Sequence, residues 1–253
     1  MKNHFLISYA GNKREEVEGI LNFIESKNFN DIDTIIEPFC GTSAMSYYIS
    51  LKYPLKFKYI LNDYDKNLMN LYKIASNEVL FRQFNDEYND KVMTLTTKDA
   101  YVAMKNEKTF LSWFITNKVY SMRPGIYDKN YKLKHLDLEQ TPIIKFLRTE
   151  QIEFSNIDGC EVLKQHQADT KTLIFIDPPY MMVCNSFYSS QTTDIYEYLV
   201  KNTIKNMNSF IVLVIEKNWI NELMFNDLIK ETYNKMYQLR NKKKTQHIIV
   251  SNK

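Results

Sequence analysis

The stretch "TLIFIDPPYMM", Thr172–Met182, decides how this chain is read. A run of apolar, partly β-branched residues ends on an acid, two prolines and a tyrosine. The run is short and continuous, as in a strand covered on both faces of a sheet. Pro178 and Pro179 then remove two amide donors and hold the backbone extended. Beyond the strand lies an array of acceptors, the Asp177 carboxylate and the carbonyls of Pro178 and Pro179, with the aromatic face of Tyr180 beside it. Acceptors next to a stacking face suit a planar group bearing an NH2. An acidic strand end followed by a rigid turn is the plainer reading.

Other segments share the pattern. "TIIEPF" (Thr34–Phe39), "KYILND" (Lys58–Asp63) and "SFIVLVIE" (Ser209–Glu216) are apolar runs ending on polar or acidic residues. Helical periodicity falls between them, at Glu15–Ser26, Ala44–Lys52, Lys66–Ala75 and Asp194–Asn206. This alternation predicts an α/β fold of three layers around a mostly parallel sheet, with ligands beyond the carboxyl ends of the strands. Between about Ser76 and Glu150 the alternation stops. That stretch is polar and helix-rich, and leads into "SMRPGIYDKNYKLKH" (Ser121–His135). It is read as a helical insertion at 76–149, with residues 1–75 and 150–253 forming one catalytic domain. The final "MYQLRNKKKTQHIIVSNK" predicts a hairpin with a basic turn.

The bulk numbers narrow the class. The chain has 253 residues, 44% of them hydrophobic and 25% charged, which is ordinary for a soluble globular protein. A net charge of +3 excludes a polybasic tail, so a polyanion partner requires locally clustered charge. Cys40, Cys160 and Cys184 lack zinc or CxxC spacing, and His4, His135, His166 and His247 are scattered. Neither a disulfide framework nor a metal site is supported, which points to a reducing compartment. No signal peptide or membrane span is visible in the sequence.

Two further motifs concern a ligand. In "EPFCGTSAMSYYI" a strand end is followed by Gly41 and a helix start, where backbone can approach a ligand and unpaired amides collect. An ordinary strand–helix turn reads equally well there. In "ILNDYDKN", Asp63 ends the next strand and can accept the hydroxyls of a ribose; an Asx turn or helix cap is the alternative. Together they point to a nucleoside-containing cofactor.

These residues resemble the Dam-like (class alpha) branch of the adenine-specific DNA methyltransferases. Asp-Pro-Pro-Tyr after an apolar strand resembles the catalytic motif of the enzymes that methylate exocyclic amines in DNA. "FLISYAGNKREEV" is similar to the family's Trp-Ala-Gly-Gly-Lys segment, "IIEPFCGTSA" to its Glu-Pro-Phe-x-Gly-x-Gly turn, and "ILNDYDKNLMNLYK" to its Leu-Asn-Asp segment. "NKVYSMRPGIY" stands where the family has a recognition hairpin, "SNIDGCEVL" shortly before the catalytic strand, and "HIIVSN" at the closing strand. The matches keep family order over nearly the whole chain, and size and composition also resemble viral or phage members. Tyr9 replaces the usual Trp, and Asn12 and Ser43 stand where the family has Gly.

The resemblance implies a Rossmann-like sheet that takes S-adenosylmethionine, releases S-adenosylhomocysteine and needs no metal. It implies that Tyr9, Ala10, Gly11, Asn12 and Lys13, together with Glu37, Pro38, Phe39, Cys40, Gly41, Thr42 and Ser43, hold the methionine part. Asp63 would then hold the ribose, Asp158 would lie near the cofactor adenine, and Asp177 would face both cofactor and target. Lys13 would pair with the cofactor carboxylate; a solvated lysine at a helix start is its plainer reading, and a turn residue is that of Asp158. Asp177, Pro178, Pro179 and Tyr180 would form the catalytic set acting on a flipped adenine. The partner is double-stranded DNA, held by Arg123, Tyr127, Lys129, Lys132 and Lys134 in the insertion and by Arg240 and Lys242 in the C-terminal turn, where Lys243 and Lys244 extend the basic run. The protein would act inside the cell, in the cytoplasm or where its host or virus replicates DNA, as monomer or dimer. An RNA base methyltransferase and a catalytically silent DNA-binding subunit are the rival readings.

Overall fold

The computed structural model describes residues 4–7, 13, 15–27, 29–119, 136–179, 192–201, 204–236 and 244–253. Its contacts divide the chain into two units, Lys13–Asp65 with Gln151–Lys253, and Met1–Asn12 with Lys66–Glu150.

The first unit is built on one seven-stranded sheet. Its strands are β1 (Thr34–Glu37), β2 (Lys58–Asn62), β3 (Gln151–Ser155), β4 (Thr172–Ile176), β5 (Phe210–Glu216), β6 (Ile229–Met236) and β7 (Lys244–Ser251). Their order across the sheet is β3-β2-β1-β4-β5-β7-β6. The pairs β1–β2, β2–β3, β1–β4 and β4–β5 are parallel, while β7 runs antiparallel to both β5 and β6. The sheet is thus mostly parallel, as the strand–helix alternation predicts, and it ends in an antiparallel hairpin whose second arm lies where expected, while its first arm ends at Met236, the residue at which the sequence reading begins the hairpin.

The sequence produces this arrangement for local reasons. Ile36, Ile60, Ile174, Ile176, Ile211, Leu213, Ile215, Ile248 and Val250 share one buried cluster with Val162, Leu163, Ile195, Tyr196 and Leu199 from the helices α8 (Gly159–His166) and α9 (Thr192–Lys201). Their strand neighbours Ile35, Tyr59, Leu173, Phe175, Val212, Val214 and Ile249 point the opposite way and are also buried. Strands buried on both faces have no polar alternation to show, which is why they read as continuous apolar runs. The remaining helices of this unit are α1 (Val17–Glu25), α2 (Ala44–Lys52) and α10 (Trp219–Phe225), and α1 packs against α2.

Chain direction sets the site. From β1 the chain steps outward to β2 and β3, then returns to place β4 on the other side of β1. The carboxyl ends of β1 and β4 therefore flank the point where the strand order reverses, the usual ligand crevice of open α/β sheets. Glu37 ends β1, and Asp177 follows β4 directly.

The structure differs from the sequence reading at several ends. β1 stops at Glu37 because Pro38 cannot donate to a ladder, and β4 stops at Ile176 ahead of Asp177-Pro178-Pro179. The helix expected over Asp194–Asn206 runs Thr192–Lys201, with a separate 3-10 turn at Ile204–Asn206. The edge strand β3 is an addition to the predicted set.

The second unit is helical: α3 (Lys66–Ser76), α4 (Glu78–Thr94), α5 (Lys98–Asn106), α6 (Phe110–Val119) and α7 (Ile143–Thr149). Asn77 and Thr97 accept the amides of Leu80 and Ala100 and so cap α4 and α5. Phe81, Phe84, Tyr88 and Phe114 form a buried aromatic core. Asn89 exchanges two hydrogen bonds with the backbone of Leu136, at 2.9 and 2.8 Å. Arg148 grips Glu139 with both terminal nitrogens, at 2.7 and 3.0 Å, and donates to the Ala75 carbonyl. Among the described residues no helix is long and apolar enough to cross a membrane.

Candidate functional site

The loop after β1 is shaped by two residues with left-handed backbone, Gly41 (φ 47°) and Ser43 (φ 54°). The first needs a glycine's freedom. At the second a serine stands where the resembled family has glycine, and the backbone keeps the conformation that glycine favours. The loop is tied at Cys40, whose N–H donates to the Asn62 carbonyl at 2.8 Å, and at Ser43, whose N–H donates to the Cys40 carbonyl at 2.6 Å.

Two acids stand at this turn. Glu37 accepts the Ser46 amide of α2 at 2.8 Å, and Asp63 accepts the amides of Gly41 at 3.0 Å and Asp65 at 2.9 Å. Burial pushes the Glu37 carboxyl up to about 7, against the Ser46 hydrogen bonds and with help from the Asp177 charge. Burial likewise pushes Asp63 up to about 6, although backbone amides favour its ionised form. Burial, together with the Asp63 and Glu37 charges, lifts the Cys40 thiol well above its ordinary range. It stays protonated, consistent with a cysteine that has no nucleophilic task.

Asn62, the last residue of β2, is fully buried and joins three strand ends through one carboxamide. Its Nδ2 donates to the carbonyls of Pro38 (2.9 Å) and Ile157 (3.0 Å). Its Oδ1 accepts from the Ser155 hydroxyl (2.7 Å) and the Ile157 amide (3.0 Å). Asn156 adds bonds to the carbonyls of Asp63 (2.7 Å) and Tyr64 (3.1 Å). Next along, Asp158 caps α8 by accepting the Cys160 amide at 2.7 Å. Gly159 lies so close under the Phe39 ring that an added Cβ would stand 2.3 Å from it.

The strand end after β4 carries a different acid. Asp177 is a fifth exposed and receives a 2.6 Å ion pair from Lys13, which is 3% exposed. Lys13 therefore meets Asp177 rather than solvent. Behind it Glu16, at the start of α1, touches Lys235 of β6, accepts the Tyr233 hydroxyl at 2.5 Å and lies 3.2 Å from Nδ1 of His247 on β7. Burial alone would raise the Glu16 carboxyl, but the His247 hydrogen bond and the charges of Lys13 and Lys235 hold it down at about 2.

The described part of the site thus brings Glu37 and Asp177 within electrostatic reach, joins Gly41 to Asp63, Lys13 to Asp177, and Phe39 to the start of α8. Pro38, Thr42, Pro178 and Pro179 lie along the same strand ends. Tyr9, Ala10, Gly11, Asn12 and Tyr180 lie outside the described residues, as do Arg123, Tyr127, Lys129, Lys132, Lys134, Arg240 and Lys242. Sequence reasoning missed Glu16, Asn62, Lys235 and His247. Only Asn62 left a signal, as an amide at the same strand end as Asp63.

A doubly wound, mostly parallel sheet closed by an antiparallel hairpin, with acids on the carboxyl ends of β1, β2 and β4, is a Rossmann-like α/β fold. Residues 9–119 match the family model described as D12 class N6 adenine-specific DNA methyltransferase. That match spans 111 of the 253 residues, from the N-terminal segment through β1 and β2 into the helical unit. The chain is 25% identical over 203 residues to the type II methyltransferase M.MjaIII of Methanocaldococcus jannaschii, spanning 69% of this chain and 68% of that protein. Among solved structures, HI0767 from Haemophilus influenzae, a candidate methylase, aligns over 94% of this chain and 88% of its own, with TM-score 0.42 and 14% identity. PH1948 from Pyrococcus horikoshii, a candidate RNA methyltransferase, aligns over 99% and 91%, with TM-score 0.45 and 10% identity.

Proposed function

We propose that the chain transfers the methyl group of S-adenosylmethionine to the exocyclic amine of adenine within a short specific site in double-stranded DNA, with the base flipped out of the helix. One observation carries this reading: Asp177, at the strand-order reversal, is presented by an amide-poor Pro178-Pro179 turn and matched by a buried lysine.

The strand ends fit the cofactor. Asp63 accepts the Gly41 and Asp65 amides on different oxygens, and a carboxylate with about four acceptor sites keeps capacity for a ribose hydroxyl. Glu37 is a buried carboxyl poised near neutrality, and the ammonium of a methionine tail would favour its ionised form. Tyr9–Asn12 and the loop 38–43 keep the methionine-holding role that the resemblance implies. When bound, the cofactor supplies an electrophilic methyl on a sulfonium.

The remaining chemistry belongs to the chain. The adenine amine is a poor nucleophile because its lone pair is delocalised into the ring. Hydrogen bonds from that NH2 to the Asp177 carboxylate and the Pro178 carbonyl favour a pyramidal nitrogen with an available lone pair. Rate is then gained from positioning and electrostatics. Transfer would exchange the sulfonium S–C bond for the new N–C bond, and the surplus amine proton would leave to water. Flipping costs a few kcal/mol, and stacking on Tyr180 returns about 1–3 kcal/mol. Phosphate contacts complete the balance, from Arg123, Lys129, Lys132 and Lys134 beside Tyr127 and Tyr131 in the 76–149 recognition segment, and from Arg240 and Lys242 in the C-terminal turn.

Single-molecule sequencing of DNA from cells expressing the chain tests the reading. N6-methyladenine confined to one short motif is expected, with Arg123→Ala spreading it to related motifs. Methyl transfer to RNA alone, or no cofactor binding, would replace the reading with one of its rivals.

A further inference from the structure

Behind Asp177, which the proposed reaction uses, lies a line of buried charges that it does not use. Asp177, Lys13, Glu16 and Lys235 alternate in sign. The two ends of the line are ion pairs, Asp177–Lys13 at 2.6 Å and Glu16–Lys235 in direct contact. The middle is joined by backbone: the amides of Glu16 and Val17 donate to the Lys13 carbonyl at 2.8 and 3.0 Å, so one tight turn aims both side chains. The groups facing Glu16 are Lys13 from its own turn, Tyr233 and Lys235 from β6, and His247 from β7. Lys13, Glu16, Lys235 and His247 are all buried. Burial, and after it the Lys13 charge, disfavours the Lys235 ammonium, while Glu16 and Asp177 favour it, so the charges act along the whole line.

A buried ion pair adds little net stability over an apolar pair of the same volume, so its retention calls for another role. Lys13 stands between two carboxylates, and whichever lacks another cation draws it. The β6 lysine supplies that cation to Glu16. We propose that Lys235 is a positioning residue for methyl transfer: by holding Glu16 it leaves the Lys13 ammonium on Asp177. This rests on Asp177 being the acceptor of the target amine. Without Lys235, the Glu16 carboxylate competes for Lys13, and Asp177 loses its alignment and its balancing charge.

The test is single-turnover methyl transfer by Lys235→Met, Lys235→Arg, the double variant Glu16→Gln/Lys235→Met and Asp177→Ala. At pH about 8, Lys235→Met is expected to lose about tenfold to a hundredfold in rate, the scale of a misplaced catalytic group. Lys235→Arg restores the rate. The double variant, in which neither charge remains, stays within about threefold of wild type. A Lys235→Met rate within about threefold of wild type, or a double variant as slow as Lys235→Met, overturns the proposal. If Lys235→Met does not fold, a folded double variant slower than wild type by tenfold or more does the same. Asp177→Ala separates the two readings: if it still transfers methyl, the acceptor assignment fails; if it is inert and the Lys235 series behaves as wild type, only the positioning role fails.

Discussion

The sheet unit holds two pairs of acids in opposite ways, with Glu37, Asp63 and Glu16 buried and Asp177 a fifth exposed. Glu37 and Asp63 rest on backbone amides from Ser46, Gly41 and Asp65. Amide dipoles do not offset burial, so both carboxyls are pushed up, to about 7 and about 6. Asp177 and Glu16 rest on Lys13 and Lys235, and Glu16 is held down at about 2. An acid on amides near neutrality is prepared to gain a cation or a hydroxyl. An acid on a lysine already has its balancing charge, and Glu16, held at about 2, stays an acceptor at neutral pH. One pair suits a visiting ligand, the other a fixed electrostatic frame.

The largest expected effect breaks the lysine-held pair. Asp177→Ala should lower methyl transfer about a thousandfold, the scale of removing a preorganised polar group, with the far-UV spectrum unchanged. Wild-type turnover would remove Asp177 from the chemistry. Next is the brace that carries the amide-held pair. Asn62→Ala strips partners from the Pro38 and Ile157 carbonyls and the Ile157 amide, and should cost about 3 kcal/mol in denaturant unfolding.

Glu37→Gln should separate stability from binding. The folded carboxyl titrates near 7, above its unfolded value of 4.5, so its stabilising protonated form is complete below 4.5 and lost as pH rises through 7. A glutamine does not ionise, and the variant should gain on the order of 2–3 kcal/mol over wild type at pH 8, with no gain near pH 4. Calorimetry should show the same variant binding S-adenosylmethionine more weakly. Wild-type affinity should rise with pH through about 7, and the variant should lack that rise. A thermal scan with no pH-dependent gap would refute the buried-acid account. The smallest effect is Ser43→Gly, which relieves a left-handed serine at φ 54° and should stabilise by about 1 kcal/mol or less.

Legibility in the sequence followed burial. Thr34–Glu37, Lys58–Asn62, Thr172–Ile176 and Phe210–Glu216 are buried on both faces and announced themselves as apolar runs. Ala44–Lys52 was read with its observed bounds. β3, "QIEFS", is the sheet's edge strand and keeps Gln151 and Glu153 exposed, so its apolar content is too thin to stand out. The strand-end acids were legible because a carboxylate after an apolar run is conspicuous. Glu16, Lys235 and His247 were not, because nothing local links a helix start to a hairpin more than two hundred residues away. Asp158 appears in the structure as the cap of α8.

The carboxamide of Asn62 also offers a way to watch the molecule. The Ile157 amide, bonded to its Oδ1 at 3.0 Å, exchanges with solvent only when that node lets go. Because the same side chain holds Pro38 and Ser155, the deuterium uptake of one peptide covering Ile157 becomes a gauge of whether the turns beyond three strands are closed.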